Sequence, residues 1–449
     1  MPPDNRPLGD QHAIVIGGGL AGLLCARALS RHFQRVTVLD RDHLPSGPQA
    51  RAGAPQGHHV HVLIARGWRI MSELFPELSA ALDEAGAPHL DWLADVAWHT
   101  PFGPAPRNSS PLRSRACTRG LLEYTVRRLL LADPRVHLLD GVEVDGLQSA
   151  GDRDKRVTGV IAHRRGRAGA EAPALTPDQL RADLVLDASG RGSKAIDWLT
   201  ALGYPSPPET LVDAKLGYAS RLVRRAPNAP WAGLYVMGRS PHLPRAGVIY
   251  PVEGDRWIVT LVGYGGDHPP TDDAGFLAFA RGLATPELAD ALAGAAPLTS
   301  IHGYRRTESR VRHFERLRRW PGGLLIVGDA ACALNPAYGQ GMTVSAIEAE
   351  LLSQHLRLDR PADQHCRDLQ RRLAAAARPA FLTASGDDFR WPTTSGRRPP
   401  GQGVMHKLID RLLRAATRDP ALYLRLLEVL QLVRPTSALL DPRVLAKIF

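Results

Sequence analysis

Residues 13 to 40 constrain the fold of this chain more than any other stretch. Ala13-Ile14-Val15-Ile16 is a short apolar strand that enters the turn Gly17-Gly18-Gly19. Leu20 to Arg31 follows with apolar residues at helical spacing, and Arg35 to Leu39 is a second strand that ends at Asp40. A strand-turn-helix-strand unit of about 30 residues has the size of a mononucleotide-binding half. Gly17, Gly19 and Gly22 fit the GxGxxG spacing. The first permits a tight turn, the second lets a pyrophosphate approach the backbone, and the third lets helix and strand pack closely. The helix N-terminus then offers free N–H groups and about half a positive charge to phosphates. Asp40, 18 residues past Gly22, is placed to meet a ribose 2′-hydroxyl.

Two later motifs bear on the same ligand. Asp183-Leu184-Val185-Leu186-Asp187 is an apolar strand that runs into the turn Ala188-Ser189-Gly190-Arg191-Gly192-Ser193. More than 300 residues past the first turn, Leu324 to Val327 is another buried strand, ending at Gly328-Asp329. Asn335-Pro336-Ala337-Tyr338-Gly339-Gln340-Gly341-Met342 follows and leads into a long helix, Thr343 to Leu356. The first turn can hold a dinucleotide pyrophosphate, and Asp329 can bond a ribityl hydroxyl. FAD is the common cofactor with both parts. The N–H groups of Gly339 to Met342 would face the flavin N1–C2=O edge, where negative charge accumulates on reduction.

Composition narrows the class. The 449 residues amount to roughly three domains' worth. Hydrophobic and charged fractions of 44% and 22% are ordinary for a soluble globular protein. Only five of the 56 basic residues are Lys, and the remaining 51 Arg are spread along the chain. That spread, without a basic tail or aromatic-basic interleaving, argues against a nucleic-acid partner despite the net charge of +11. Cys25, Cys117, Cys332 and Cys366 lack CxxC spacing and read as reduced thiols of a cytoplasmic protein. Met1 to Gln11 has no basic region followed by an apolar core, so a signal peptide is not expected. No run of 18 apolar residues suggests a membrane span.

Between the motifs, Pro45 to Pro55 reads as a loop and Val60 to Leu74 as a helix. Thr118 to Leu131 is a strongly amphipathic helix, followed by strands over Val136 to Leu139, Val142 to Leu147 and Val157 to His163. Arg164 to Leu180 reads as a charged surface loop. After Tyr204 the pattern turns to strands, over Ala214 to Val223, Gly233 to Gly238, Gly247 to Val252 and Trp257 to Tyr264. Glu253-Gly254-Asp255-Arg256 is the hairpin turn joining the last two. From Pro361 onward the pattern is helical, broken by a loop from Trp391 to Gly403.

The three motifs, in this order, resemble the FAD-dependent monooxygenases related to aromatic hydroxylases and squalene epoxidase. The likeness is closer to a bacterial branch acting on natural-product scaffolds, which shares segments like Pro55 to Leu63, Ser114 to Arg119 and Asn335 to Met342. It covers roughly residues 12 to 350. The resemblance implies an FAD that is reduced by NAD(P)H and reacts with O2 at flavin C4a, the hydroperoxide then transferring one oxygen atom. It implies FAD contacts at Gly17, Gly19, Leu20, Ala21, Gly22, Asp40, Arg41, Arg119, Asp187, Gly190, Gly328 and Asp329. Pro336, Gly339, Gln340, Gly341 and Met342 correspond to the loop beside the flavin ring. Classical hydroxylases have Asp-Gly where this chain has Asp187-Ala188-Ser189-Gly190, which leaves the NAD(P)H contact open. Halogenases of this fold carry a WxWxIP segment that the chain lacks, and a single GxGxxG argues against glutathione-reductase-like enzymes.

The expected architecture is an α/β protein with a Rossmann-like FAD-binding domain of the aromatic hydroxylase type. Residues 10–75, 110–203 and 310–357 would form that domain, 76–109 and 204–309 an inserted β-sheet substrate domain, and 358–449 a C-terminal helical region. His59, His61, Tyr235, Met237, Tyr250 and Trp257 are the candidates to wall an apolar substrate cavity. His59 and His61 alone make no metal site, since no third ligand is evident. Arg115 suits a phosphate or a helix cap, but Arg119 matches the family better.

The expected reaction is insertion of one oxygen atom into a hydrophobic polyketide- or terpenoid-like intermediate, with alkene epoxidation preferred because it needs no catalytic base. The rivals are aromatic hydroxylation of a phenolic or indole scaffold, a flavin-dependent reductase or desaturase, and a non-redox FAD-fold escort protein. A separate flavin reductase is an alternative electron source. Val404 to Leu432 has apolar residues at helical spacing beside Lys407, Arg411 and Arg414; packing against the body of the enzyme is preferred to contact with a membrane surface.

Overall fold

A computed structural model describes residues 11–51, 53–151, 155–166 and 175–449. The expectation for Met1 to Gln11 falls, but for Gln11, outside the described residues, as does the middle of the Arg164-to-Leu180 loop.

The first sheet has five parallel strands in the order Leu324–Ile326, Leu184–Asp187, His12–Ile16, Arg35–Leu39, Val136–Leu139. The runs Leu324–Ile326, Leu184–Asp187 and His12–Ile16 are buried along their whole length, as a parallel sheet covered on both faces requires. Register decides where the motifs meet. Ile16 pairs with both Leu39 and Asp187, and Asp187 pairs with Ile326. The turns after these strands, beginning at Gly17, Asp40, Ala188 and Val327, therefore open side by side on one edge. That edge, at the strand C-termini, is where doubly wound sheets take their ligands.

The helix Leu20–Leu29 is buried except at Ala21 and Arg27, and it packs against Arg119–Leu130 and Gly341–His355. Thr118 caps Arg119–Leu130 by accepting the Leu121 N–H at 3.2 Å. Its own N–H and Oγ donate to the Glu253 carboxylate at 2.9 and 2.7 Å. Glu253 begins the expected hairpin turn, so one cap ties the second sheet to the first.

The second sheet has seven strands, in the order His302–Tyr304, Gly217–Arg224, Arg256–Gly263, Arg245–Val252, Gly233–Val236, Val96–Thr100, Gly103–Pro104. One face carries Leu234, Ile249, Trp257, Val259 and Leu261, sealed by Phe276, Phe279 and Leu288 of two covering helices. The other face, with Tyr218, Tyr235, Val248, Tyr250 and Ile258, turns toward the first sheet and the C-terminal helices. This parity corrects one expectation. Tyr250 pairs with Ile258 across the hairpin, and Trp257 pairs with Pro251. Trp257 is therefore on the helix-covered face, fully buried and stacked on Trp231 at 5.3 Å, not on a cavity wall.

The helix expected from Val60 begins only at Ala65. Residues 60–64 run extended, with the Val60 N–H donating to Thr260 Oγ1 at 3.3 Å and Ser114 Oγ donating to the Leu63 carbonyl. The strand Val96–Thr100, parallel to Gly233–Val236, carried no recognisable period-2 pattern in the sequence.

Candidate functional site

The aligned turns open into a cavity of about 570 Å³. Of the residues expected to hold FAD, Gly17, Gly19, Leu20, Ala21, Asp40, Arg41, Arg119, Gly190, Asp329, Gly341 and Met342 line it, with Pro336 and Gly339. Gly17 has φ +102°, and a Cβ there would lie 2.6 Å from the Ala188 carbonyl oxygen. Gly19 is the N-cap of Leu20–Leu29 and brings no side-chain cap, so the first-turn N–H groups stay available to a phosphate.

Four expected residues do not reach the cavity. Gly22 is a packing residue: a Cβ would lie 1.8 Å from the Gly17 carbonyl oxygen. Asp187 is fully buried and accepts from Ser189 N–H (2.9 Å), Ser189 Oγ (2.6 Å) and Ser193 Oγ (2.6 Å), so it shapes the turn from beneath. Gln340 is buried and donates to the Leu430 carbonyl at 2.8 Å, tying the loop to the C-terminal helices. Gly328 takes φ +58° and donates its N–H to Glu348 Oε2 at 2.9 Å.

Charge is divided along the cavity. Asp40 accepts from the Gly18 N–H at 2.6 Å and from Arg51 at 2.8 Å. Arg51 also meets Glu123 (2.9 Å) and Asp42 (3.4 Å), and its guanidinium lies over Gly19. Arg119 is held by Glu123 at 3.0 Å. Arg51 was missed in the sequence because it sits in a Pro/Gly/Ala loop without a flanking pattern. Arg191, from the second motif, donates to the carbonyls of Glu308 and Leu334, both at 2.8 Å, and its Nε lies 3.7 Å from Asp329. The Asp329 side chain is 44% exposed, into this cavity. Desolvation by the walls raises its pKa against the pull of Arg191 and Arg119. Arg115 is instead buried on Ser79 and Asp83 at 2.9 and 2.6 Å, away from any phosphate position.

The substrate candidates separate. His61 lines the cavity with Gln56, Val60, Val62, Tyr218 and Tyr304. Its Nδ1–H donates to the His59 carbonyl at 3.0 Å, and burial with Arg119 nearby lowers its pKa to about 4. His59 lies behind that wall, 2.8 Å from Ser220 Oγ and edge-on to Tyr218 at 4.6 Å; burial lowers it to about 3. Tyr218 and Tyr304 stack at 5.6 Å, and desolvation raises both phenol pKa values. Tyr235 and Tyr250 belong to the inward sheet face and Met237 follows the strand Gly233–Val236, but none of the three lines this cavity. Tyr235 sits against Trp98 at 5.6 Å, and Tyr250 stacks on Trp92 at 6.3 Å.

Glycines that admit a close backbone, an uncapped helix start, cations around the first turn and a carboxylate open to the cavity are a donor set that fits FAD. Comparison with known proteins agrees. Residues 12–106 match the FAD dependent oxidoreductase family. Protein Rv3254 of Mycobacterium tuberculosis is 32% identical over 424 residues, 92% of this chain and 87% of that protein. A flavoprotein/dehydrogenase from Cytophaga hutchinsonii superposes with a TM-score of 0.64 at 12% identity, over 97% of this chain and 96% of that one. The flavin-dependent halogenase CmlS gives 0.62 at 16% identity, over 92% and 72%. A 2-methyl-3-hydroxypyridine-5-carboxylic acid oxygenase gives 0.59 at 20% identity, over 85% and 92%. At these identities the structural likenesses speak to the fold alone.

Proposed function

The chain shares a family with Protein Rv3254 and carries an FAD-dependent oxidoreductase domain, and from that premise we propose that it is a monooxygenase acting on a hydrophobic substrate, with alkene epoxidation as its reaction. One observation carries this reading. The Asp329 turn and the Pro336-to-Met342 run share a cavity with an apolar wall of Val60, Val62, Tyr218, Tyr304 and Leu334.

When bound, FAD supplies electron transfer from NAD(P)H and delivery of one oxygen atom from O2. The protein's part is to bind, orient and shield. The Leu20–Leu29 N-terminus and Arg51 would hold the pyrophosphate, Asp40 a ribose hydroxyl and Asp329 a ribityl hydroxyl. The N-terminus of Gly341–His355 would place partial positive charge at the flavin edge. The apolar wall would exclude water from the reacting centre.

The titration of that wall favours epoxidation. Burial and the neighbouring Arg119 hold the His61 imidazole near 4, so it is a weak base for ionising a phenol. Phenol hydroxylation gains from a base that ionises the substrate, whereas an electron-rich alkene needs none.

The test is an anaerobic titration of the FAD-loaded protein with NADPH, followed by turnover of polyenes and phenols under labelled O2. Bleaching of the flavin band and one labelled oxygen in an epoxide are expected. Labelled phenols without epoxides would move the assignment to aromatic hydroxylation. Reoxidation without label in any product would move it to a reductase or desaturase, and failure to bleach with any substrate to an external reductase or an escort role.

A further inference from the structure

The helix Gln402–Ala416 buries one side and leaves the other charged. Leu412, Leu413 and Ala416 pack against Leu422, Leu426 and Leu427 of Pro420–Leu430. Lys407, Arg411 and Arg414 recur at intervals of four and three residues, which places them along one outward stripe, and Arg418, in the turn just past the helix, lines the same groove as Arg411 and Arg414. All four are exposed. Among the described residues none of them is ion-paired, and the neighbouring carboxylates are already taken, Asp410 by Arg390 and Asp419 by Lys447. Beside the stripe lies an open groove of about 410 Å³ in which Arg411, Arg414, Arg418 and Lys447 face a single carboxylate, Asp419.

Apolar side chains stand at the margins of this cationic face. Val404 is 74% and Met405 46% exposed at the start of the helix, and Phe449, 79% exposed, lies under the Arg411 guanidinium at 4.7 Å. A nucleic acid would answer the charges but would leave these side chains in water. A bilayer of anionic phospholipid answers both, since its headgroups pair with cations and its acyl boundary accepts apolar side chains. We propose that this face docks the enzyme on an anionic phospholipid membrane, with the helix lying in the interface plane and Val404, Met405 and Phe449 entering the headgroup–acyl boundary. The helix packs on the protein with one side and on lipid with the other.

The test is co-sedimentation of the full, FAD-loaded chain with vesicles of phosphatidylcholine alone, or containing about one-third phosphatidylglycerol. Binding to the anionic vesicles only, weakened by salt, is expected. The triple variant Lys407→Glu/Arg411→Glu/Arg418→Glu should bind roughly tenfold or more weakly. Val404→Ser/Met405→Ser, which removes the apolar side chains without adding charge, should weaken binding without changing its salt dependence. Both variants should keep the wild-type flavin spectrum and far-ultraviolet dichroism, which separates lost docking from lost folding. The proposal is overturned by no binding to anionic vesicles, by equal binding to both, or by charge-reversed protein that still binds. It is also overturned if a DNA duplex at equal phosphate concentration strips the protein from the vesicles, which would make the face a general polyanion site.

Discussion

The Gly328 N–H shows how a residue outside the cavity sets the geometry inside it. Gly328 turns in the left-handed region so that Asp329 faces the cavity, and its N–H is held by Glu348, one of the most buried carboxyls in the protein. Burial and the nearby Asp329 push Glu348 up to about 8, so at neutral pH it is mostly protonated and accepts this hydrogen bond through a neutral carboxyl. Glu348→Ala leaves a buried N–H without a partner, at about 1–3 kcal/mol, and loosens the Asp329 turn. We expect FAD to bind roughly tenfold more weakly, read by fluorescence titration of the apoprotein, whereas Glu348→Gln should stay near wild type. Equal losses in both variants would show that the ionised carboxylate, not a neutral acceptor, holds the turn.

Legibility in the sequence differs at this scale. The glycines and Asp329 stood out because strand, turn and helix leave distinct spacings around them. Glu348 was invisible, since an acid within an apolar helix is given meaning only by the backbone it meets. Trp257 was misplaced for a different reason: both faces of its strand are apolar, so alternation could not say which face turns inward.

At the scale of elements, short strands depend on what lies beside them. Leu324–Ile326 is the edge of the parallel sheet, with no strand on its outer side, where Trp320 Nε1 donates to the Leu324 carbonyl at 2.9 Å. The Gln370 side chain, from the helix Ala362–Asp388, closes that edge like an added residue. It accepts the Ile326 N–H and donates to the Ile326 carbonyl, both at 2.9 Å. Gln370→Leu keeps the bulk and strands both groups, so a loss of about 2–4 kcal/mol is expected in urea unfolding. A value within about 0.5 kcal/mol of wild type would mean that water satisfies the edge. The same helix ends at Asp388, which accepts from the Asn335 amide at 2.6 Å while Asn335 caps the Pro336–Tyr338 turn at 2.9 Å. Asn335→Ala removes a cap and a buried donor together. We expect it to destabilise the protein by about 1–2 kcal/mol and to shift the flavin absorption band. The extended run from Val60 to Ile64 belongs to this scale as well. Its apolar residues suit a helix, but the hydroxyls of Thr260 and Ser114, remote in sequence, hydrogen-bond its backbone instead.

For the molecule as a whole, the buried titratable groups oppose one another in pH. His12, His59 and His61 are held near 4, 3 and 4, well below the ordinary 6.5. As pH falls from 6.5 toward 4 the unfolded chain takes up protons that the folded histidines refuse, so stability falls on acidification. Glu348 and Asp388 lie near 8, above their ordinary 4.5 and 3.8, with desolvation the main cause in both. Between about pH 4.5 and 8 these two keep protons that the unfolded chain releases, so their contribution is whole at low pH and is lost as pH rises through 8. Above 6.5 the histidines no longer act and the acids are left alone. Stability at fixed FAD concentration should therefore peak near pH 6. It should then decline toward pH 8 by up to about 1.4 kcal/mol per pH unit for each acid. Urea unfolding across that range, on wild type and on Glu348→Gln/Asp388→Asn, separates the two limbs. The double variant should lose the alkaline decline and keep the acidic one. If the decline above pH 6.5 survives both substitutions, the two carboxyls are ionised in the native protein. The Asp329 turn and the Pro336 loop are then held by charged acids, and the neutral-acceptor account of Glu348 fails with them.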